Sequence, residues 1–284
     1  MIISKQKLTS EDVARHYDDL DAIYRETWGQ HLHHGLWETE ADSTHEAVKN
    51  LSMFVIQRLR VHDGARVCDI GCGYAATSRL IAERFSADVT GITISKAQLA
   101  HAKLRRPARG RVQLHQMNWL ENTLSDQSFD HAFAIESSEH MEDHRKFFSE
   151  AYRVLKPGGR FVVCAWLSRD NPGSIEESLL LEPICRHGRL LGLGSENEYR
   201  QMLKECGFHL ETFEDLSSQV SRTWSICSTR FIRSLPTDSS KFRLLFQKEN
   251  PQIGFFLSLF RIQLAYRLGS MRYGVFTALK PLSA

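Results

Sequence analysis

The chain has 284 residues, of which 42% are hydrophobic and 25% are charged, a composition typical of a globular protein with a sizeable core. Its 36 Lys and Arg against 34 Asp and Glu leave a net charge of +2, which gives no reason to expect a nucleic-acid partner. No signal-peptide pattern follows Met1, and the most apolar tract, 253–268, contains Arg261 and is too short to span a bilayer. We therefore expect a cytoplasmic protein without stable membrane insertion, whose six cysteines are reduced.

The N-terminal part, residues 1–60, is predicted to be a helical cover. An aromatic and histidine-rich stretch, 28–37, separates two amphipathic segments. The second segment, 44–59, repeats apolar residues at the helical period.

From residue 65 onward the chain alternates between predicted strands and helices. The predicted strands are 65–70, 87–93, 111–116, 129–135 and 159–166, and the predicted helices between them are 75–85, 95–105 and 142–154. Lys156–Gly159 is predicted to be a turn that opens the fifth strand. This alternation predicts a Rossmann-like, doubly wound, mostly parallel sheet whose cofactor-binding core is 61–167.

Beyond residue 167 the regular alternation of strands and helices ends. Residues 168–284 are predicted to complete the core and to carry a substrate lid. A helix at 196–206 and a strand at 208–213 precede a long helical insertion at about 217–268, and the last strand is 273–279. The lid is rich in aromatic residues, namely Trp224, Phe231, Phe242, Phe246, Phe255, Phe256 and Phe260. Most of them are expected in the core, but such a lid also suits a lipophilic acceptor. Its basic residues, Arg230, Arg233, Lys241 and Arg243, are expected on a solvated face, with a phosphate or carboxylate contact as the alternative.

A glycine turn follows the first predicted strand, in the sequence Asp69-Ile-Gly71-Cys-Gly73. Such a turn between a strand and a helix brings backbone N–H groups to a nucleoside cofactor, without deciding which one. A nicotinamide cofactor calls for an acidic residue about 20 positions further on, and the second strand has none after Asp88. The dinucleotide interpretation is therefore disfavoured.

Five motifs together resemble the class I S-adenosylmethionine-dependent methyltransferases, in the branch of the gamma-tocopherol, sterol and cyclopropane-fatty-acid enzymes. They are Val67–Gly73, Gly91–Ser95 with Gln98, Asn118-Trp119, Glu136–Met141 and Leu155–Phe161. The resemblance runs from about residue 13 to the C-terminus and implies S-adenosylmethionine as the cofactor.

The resemblance also implies which residues bind that cofactor. Asp69 would orient the glycine turn and the cofactor's amino group, and Gln98 would contact the ribose and adenosine. Asn118 would pair with adenine and Trp119 would stack on it, the alternatives being a turn residue and a core aromatic. The full expected set is His33, Asp69, Gly71, Cys72, Gly73, Thr93, Ile94, Gln98, Asn118, Trp119, Ile135 and Glu136.

The candidate catalytic residues are Glu139, His34 and His140. Glu139 could accept a bond from an acceptor hydroxyl, take up a proton or stabilise a carbocation. Its structural alternative is a cap on the helix that begins near Asp143, with His140 packed beneath it. Tyr17, Tyr24 and Trp224 are the candidate substrate contacts.

No metal is expected at the histidines His31, His33 and His34, because no cysteine or carboxylate completes a ligand set at useful spacing. The predicted function is methyl transfer to carbon or oxygen of a small lipophilic acceptor, such as a prenylated quinol, an isoprenoid or another secondary metabolite. The alternatives are N-methylation of small amines or alkaloids, cyclopropanation, and a cyclase or binding protein of the same fold that does not methylate. The oligomeric state stays open, with a homodimer as one alternative.

Overall fold

A computed structural model describes residues 1–234 and 251–282. Its strands are β1 (Arg66–Ile70), β2 (Asp88–Thr93), β3 (Arg111–Gln116), β4 (Phe129–Ile135), β5 (Leu155–Ser168), β6 (His209–Asp215) and β7 (Met271–Leu279). All seven predicted strands are confirmed, with boundaries that differ by up to four residues.

The strands form a single sheet in the order β3-β2-β1-β4-β5-β7-β6. Neighbours from β3 through β5 pair in parallel, and β7 lies antiparallel between β5 and β6. The strand order reverses between β1 and β4. In such sheets a ligand binds at the carboxyl ends of the strands beside the reversal.

Helices pack around the sheet in the described part of the chain. They are α1 (Ser10–Asp19), α2 (Asp21–Trp28), α3 (Thr44–Leu59), α4 (Ala76–Phe85), α5 (Lys96–Ala102), α6 (His144–Val154), α7 (Ser174–Glu176), α8 (Glu182–Gly188), α9 (Glu196–Glu205), α10 (Ser217–Val220), α11 (Arg222–Ser234) and α12 (Pro251–Leu268). Thr9 and Ser43 begin α1 and α3 with reciprocal side-chain caps, which explains why these helices begin there. A non-helical loop, 29–43, carries the histidines between α2 and α3.

The core lies on both faces of the sheet. One cluster includes Val67 and Val89 together with α3 and the lid residue Ile262, and the other includes Phe147 and Phe161 beneath α6. All six cysteines are free, as expected. The division into cover, core and lid at 60 and 167 stays a prediction.

Two sequence-based expectations are wrong. Lys156–Gly159 is not a separate turn but the irregular first part of β5, where Gly158 takes a φ of +78° and the register against β4 shifts. Glu139 does not cap α6, because the cap is Asp143, whose Oδ1 accepts from the Lys146 N–H at 2.9 Å.

Two segments cover the carboxyl ends of the strands. The predicted insertion supplies α10, α11 and α12, while 174–188 adds a helical segment that the sequence pattern did not indicate. Phe242, Phe246, Lys241 and Arg243 lie outside the described residues. Among the helices that the structure does describe, none has the length and apolar character needed to cross a membrane.

Candidate active site

The glycine turn after β1 has a backbone that a side chain would disrupt. Gly71 takes a φ of +85°, and a Cβ added to it would lie 2.3 Å from the Cβ of Ser137. Ser137 is itself fixed, since its hydroxyl donates to the Ile70 carbonyl at 2.6 Å. Only glycine therefore fits at position 71 without displacing the turn after β4.

Asp69, at the end of β1, is buried just below this turn. Its carboxylate accepts from the Ser78 hydroxyl at 2.5 Å, which ties β1 to α4. Burial raises the pKa of Asp69 to about 7. Because this pKa lies near neutrality, a ligand cation that binds beside Asp69 would favour the ionised carboxylate. Loss of that cation would favour the protonated form.

The turn after β2 fixes Gln98 through both its side-chain amide and its backbone N–H. The Thr93 hydroxyl donates to Gln98 Oε1 at 2.7 Å, and the Gln98 N–H donates to the Ser95 hydroxyl at 3.1 Å. Asp18 of α1 accepts from the Ser95 hydroxyl at 2.5 Å and from the Ala97 N–H at 2.9 Å. These bonds hold the N-terminal cover against the start of α5.

Asn118 and Trp119 follow β3. Asn118 Oδ1 accepts from the Leu120 N–H at 3.0 Å, and the Trp119 indole donates to the Phe147 carbonyl at 3.2 Å. Asn118 is thus a turn residue and Trp119 a core aromatic, and both also line a cavity. The structural and the ligand-binding interpretations are compatible at these two positions.

That cavity, here called the glycine-side cavity, encloses about 740 Å³ of empty space above the carboxyl ends of β1, β2 and β4. Its lining includes Tyr17, Leu32, Gly71, Gly73, Thr93, Ile94, Gln98, Asn118, Trp119, Ile135, Glu136, Ser137 and His140. A smaller space of about 340 Å³ adjoins it and is lined by His31, Leu32, His33, Asp69, Gly71, Cys72, Gly73 and Ile135, among others. Together the two spaces include all twelve expected cofactor residues.

A second large cavity, here called the lid-side cavity, encloses about 780 Å³ beneath the lid. Its lining consists of Tyr17, Tyr24, Leu32, His33, His34, Glu136, Glu139, His140, Trp166, Ile184, Gly188, Leu190, Thr223, Trp224, Ser258 and Ile262. All three catalytic candidates and all three substrate candidates are in this set. Among the described lining residues there is no lysine or arginine.

Four residues belong to the walls of both large cavities, namely Tyr17, Leu32, Glu136 and His140. They come from the N-terminal cover and from the segment that follows β4. A group that moves between the two cavities has to pass these side chains.

Glu136 is held by four hydrogen bonds in this wall. Oε1 accepts from the His34 backbone N–H and the Tyr273 hydroxyl, and Oε2 accepts from the Trp166 indole, each at 2.8 Å. His34 Nδ1 lies 2.9 Å from Oε2. Burial opposes ionisation, but the contacts with His34 and Trp166 outweigh it and lower the pKa of Glu136 to about 2. The residue also has a φ of +54°, an outlier that this set of bonds maintains.

The hydrogen bonds of His34 define its tautomer. The Trp224 indole lies 2.5 Å from His34 Nε2 and can only donate, so Nε2 accepts. The ring proton is therefore on Nδ1, where it is donated to Glu136. Both ring nitrogens of His34 are engaged, and the side chain is 1% exposed.

Glu139 is also buried, but its surroundings differ from those of Glu136. It accepts from the Trp166 backbone N–H and from the Ser138 hydroxyl, and none of the described residues provides it with a cationic partner. Burial raises the pKa of Glu139 to about 8. The two glutamates three residues apart therefore differ in charge at neutral pH, with Glu136 ionised and Glu139 protonated.

His140 forms a chain with Tyr17. Its Nδ1 lies 2.9 Å from the Arg189 carbonyl, which can only accept, so Nδ1 carries the proton. Its Nε2, 2.9 Å from the Tyr17 hydroxyl, accepts from that group. Burial lowers the pKa of His140 and raises that of Tyr17, which keeps both groups neutral.

His33 lies in the smaller space beside Asp69 and Gly71. Its Nδ1 donates to the His34 carbonyl at 2.8 Å, and its Nε2 lies 3.2 Å from His31 Nδ1. Burial lowers the pKa of both His31 and His33. Within residues 1–234 and 251–282, no group of three or more His, Cys, Asp or Glu side chains is arranged to hold a metal ion.

Several lining residues were not predicted from the sequence. Trp166 lines the lid-side cavity, and Tyr273 bonds to Glu136 without lining a cavity. They lie near the end of β5 and the start of β7, at the edge of the sheet where the rule for strand ends places a site. Ile184, Gly188 and Leu190 lie in the insertion after β5, where no motif marks them. Of the aromatic residues proposed for the lid, Trp224 lines the cavity and Phe260 is exposed.

The sheet order, the glycine turn after β1 and the adjoining cavity define the class of S-adenosylmethionine-dependent methyltransferases with a Rossmann-like fold. The chain belongs to the mycolic acid cyclopropane synthetase family, whose profile matches residues 4–244. It is therefore an enzyme of the methyltransferase class, with S-adenosylmethionine as its cofactor.

Individual relatives agree with this membership. The chain is 31% identical to 27-O-demethylrifamycin SV methyltransferase from Amycolatopsis mediterranei, over 79% of this chain and 84% of the relative. It is 28% identical to the chloroplastic tocopherol O-methyltransferase of Arabidopsis thaliana, over 95% and 82% of the two chains. The structure of the cyclopropane synthase MmaA2 from Mycobacterium tuberculosis has a similar fold, with a TM-score of 0.82, 21% identity and coverage of 98% and 100%.

Proposed function

We propose that the enzyme transfers a methyl group from S-adenosylmethionine to a hydroxyl oxygen of an uncharged, lipophilic small molecule. The observation that carries this proposal is the pair of large cavities that share the wall of Tyr17, Leu32, Glu136 and His140. One cavity has the glycine turn and the polar strand ends of a nucleoside site, and the other is enclosed by the lid.

The glycine-side cavity and the adjoining space have the groups that the cofactor needs. The backbone of Gly71 and Gly73 would lie against the methionyl and ribose parts, and the Gln98 amide, oriented by Thr93, would bind the ribose hydroxyls. Asp69 and His33 would face the amino and carboxylate groups, while Asn118 and Trp119 would meet the adenine. When bound, the cofactor supplies an activated methyl group on a sulfonium ion, so the protein has mainly to align the acceptor and exclude water.

A hydroxyl acceptor has to lose its proton as the new C–O bond forms, and the Tyr17–His140 chain provides a path for it. The acceptor proton would pass to the Tyr17 oxygen while the phenolic proton of Tyr17 passes to His140 Nε2. The Arg189 carbonyl keeps His140 oriented throughout, because it accepts from Nδ1. General-base assistance of this kind contributes about 10²–10⁴-fold.

Glu136 is proposed as a fixed negative charge rather than as a base. An ionised carboxylate accepts about four hydrogen bonds, and Glu136 has four protein partners, so little capacity is left for a substrate proton. Its charge would stabilise the imidazolium that forms when His140 accepts a proton. Glu139, predicted as a catalytic carboxylate, is proposed to face the acceptor as a neutral carboxylic acid.

The acceptor class follows from the lid-side cavity. Ile184, Leu190, Trp166, Trp224 and Ile262 give it large apolar walls, and the described lining has no lysine or arginine to pair with a phosphate or carboxylate. These properties favour an uncharged phenol, quinol or macrocyclic alcohol.

Labelled S-adenosylmethionine and a panel of acceptors test the proposal. The panel contains an uncharged prenylated phenol, a sterol, geranyl diphosphate and a primary alkylamine. We expect label in the methyl ether of an uncharged acceptor and none in geranyl diphosphate. Transfer confined to the amine or to a ring carbon would contradict the hydroxyl acceptor, and transfer to the diphosphate would contradict the uncharged class.

Location in the cytoplasm stays a prediction, and the oligomeric state stays open, with a homodimer as one alternative. Fractionation of cells that produce the tagged chain, and sedimentation velocity of the purified chain, test them.

A further inference from the structure

The outward face of α12 carries a row of exposed apolar side chains. Leu257, Phe260, Leu264 and Leu268 are between 39% and 55% exposed. Their spacing of three, four and four residues places them on one side of the helix. We call these four residues the lid stripe.

The opposite side of α12 is apolar as well. Ser258 and Ile262 line the lid-side cavity, and Leu259 and Ala265 are buried in the core. A surface helix normally has one apolar face and one polar face. A helix with apolar residues on both faces separates two apolar environments, and here one of them is the acceptor cavity.

Apolar exposure continues on the segments that pack against α12. Ile232 of α11 is 52% exposed, and Ile175 and Leu179 of the 174–181 segment are 72% and 64% exposed. Exposed apolar side chains grouped on neighbouring segments are typical of an interaction site.

The charge of the lid indicates which partner this surface fits. The 13 residues of α11 and the 18 of α12 contain no Asp or Glu and five arginines, at 222, 230, 233, 261 and 267. Arg267 of α12 and Arg233 of α11 are exposed, whereas Arg261 is half-buried and its Nη1 has no contact with solvent. The exposed Glu177 lies on the 174–181 segment, outside these two helices. An apolar strip on helices that carry exposed arginines and no acidic residue matches the interface of a bilayer that contains anionic lipids.

We propose that the lid stripe docks the enzyme on an anionic lipid membrane, with α12 lying in the plane of the interface. This inference rests on the proposed function, because a lipophilic acceptor that partitions into the bilayer would then reach the lid-side cavity past the other face of the same helix. A helix that lies in the interface does not need to span the membrane, in agreement with the lack of a spanning helix among the described residues.

Vesicle sedimentation tests the docking without any methyl acceptor. The full chain is mixed with vesicles of phosphatidylcholine, with or without phosphatidylglycerol, and the bound fraction is measured. We expect binding to the anionic vesicles, and a decrease of about tenfold or more in the partition coefficient for the Leu264→Asp/Leu268→Asp double variant. Leu104→Asp is the matched control, because Leu104 is 77% exposed in the loop that follows α5 and should leave binding unchanged.

A second pair of variants tests the contribution of electrostatic attraction to vesicle binding. Arg267→Gln should lower binding to the anionic vesicles about fivefold and leave binding to phosphatidylcholine unchanged. Arg106→Gln, an exposed arginine near the control leucine, should change neither. Affinity for S-adenosylhomocysteine shows that each variant is folded.

Three results would overturn the proposal. The wild-type chain could fail to bind vesicles, or the double variant could bind as well as wild type. The double variant could instead dissociate an oligomer in lipid-free solution while vesicle binding persists, which would make the stripe an interface between copies of this chain. None of these results depends on methyl transfer, so they leave the proposed function to its own test.

Discussion

Tyr17 lines both large cavities, and its hydroxyl, which bonds to His140 Nε2, is the group proposed to connect an acceptor to that base. We expect Tyr17→Phe to lower kcat for a hydroxyl acceptor by about 10²–10³-fold, because the path to the base is interrupted. Affinity for S-adenosylhomocysteine should change little. Steady-state kinetics and calorimetry measure the two effects.

Tyr24→Phe is the matched control for this change. Tyr24 packs beside Tyr17, with ring centroids 5.5 Å apart. It lines the lid-side cavity but not the glycine-side cavity, and its hydroxyl bonds to His16 and not to His140. It should keep kcat within about threefold of wild type. Equal losses in the two variants would remove Tyr17 from the proton path.

Glu139 makes the stability of the enzyme depend on pH in an unusual direction for a carboxylate. Its pKa is about 8 in the fold against 4.5 when unperturbed, so between these values the folded state holds a proton that the unfolded state has lost. The free energy of unfolding then decreases as the pH rises through this window, by at most about 1.4 kcal/mol per pH unit.

Glu139→Gln should remove this contribution. We expect the decrease in Tm between pH 5 and pH 8 to be smaller in the variant than in wild type, as measured by thermal unfolding at several pH values. Asp69, whose pKa is about 7, adds a decrease of the same sign that the variant retains. Parallel Tm curves for the two proteins would show that Glu139 ionises normally.

At the scale of elements, the turn between β1 and α4 depends on glycine for two separate reasons. Gly71 has a positive φ, and the space that a Cβ would need is filled by Ser137. Gly71→Ala should therefore weaken S-adenosylhomocysteine binding by about tenfold or more, since the Ser137 turn and the cavity wall have to move. Isothermal titration measures this loss.

Gly64→Ala separates backbone strain from the effect on the cavity. Gly64 has a φ of +73°, close to that of Gly71, and nothing lies within 4 Å of an added Cβ. The Gly64→Ala variant should have a free energy of unfolding about 1 kcal/mol lower than wild type, and its affinity for S-adenosylhomocysteine should be unchanged. Equal affinities for the two variants would mean that the glycine turn is not part of the cofactor site.

The sequence predicted elements whose patterns are local. The alternation of strands and helices from 65 to 166 depends on residues close together in the chain, and the structure confirms these elements. The Pro-Gly-Gly run predicted a separate turn at Lys156–Gly159, but these residues form an irregularity inside β5. Leu155 before them and Arg160 after them pair with Phe129 and His131 of β4, and the register skips the four residues between.

The site residues could be predicted where a motif follows the end of a strand. They could not be predicted where a cavity wall comes from an insertion that is distant in the chain. All the expected cofactor residues line the glycine-side cavity or the space beside it. The partners of Glu136 could not be inferred, because His34, Trp166 and Tyr273 lie far apart in the chain and meet only through the fold. The difference in pKa between Glu136 and Glu139 depends on those partners, so it could not be inferred either.

For the whole molecule, the two-cavity arrangement predicts that acceptor and cofactor binding can be altered separately. Ser258 is buried on the cavity side of α12 and does not line the glycine-side cavity. Ser258→Phe should fill part of the lid-side cavity and raise KM for a bulky acceptor by about tenfold or more. Affinity for S-adenosylhomocysteine should stay within about twofold of wild type.

Ser218→Phe is the control. Ser218 is exposed on α10, so the substitution adds the same bulk away from the cavity. It should leave the kinetics with the bulky acceptor unchanged. If Ser258→Phe weakened both ligands equally, the two cavities would form a single site.

The position of β7 has a consequence for the order in which the molecule is assembled. β7 is synthesised after every other strand of the sheet, yet it lies between β5 and β6. It pairs with Arg160–Ser168 of β5 and with β6 from His209 to Asp215. While residues 271–279 are still within the ribosome, the facing edges of β5 and β6 have no partner, and Glu136 lacks its bond from Tyr273. The sheet and the wall shared by the two cavities are therefore completed by the same late pairing step. Before that step, a nascent chain exposes strand edges that are prone to aggregation.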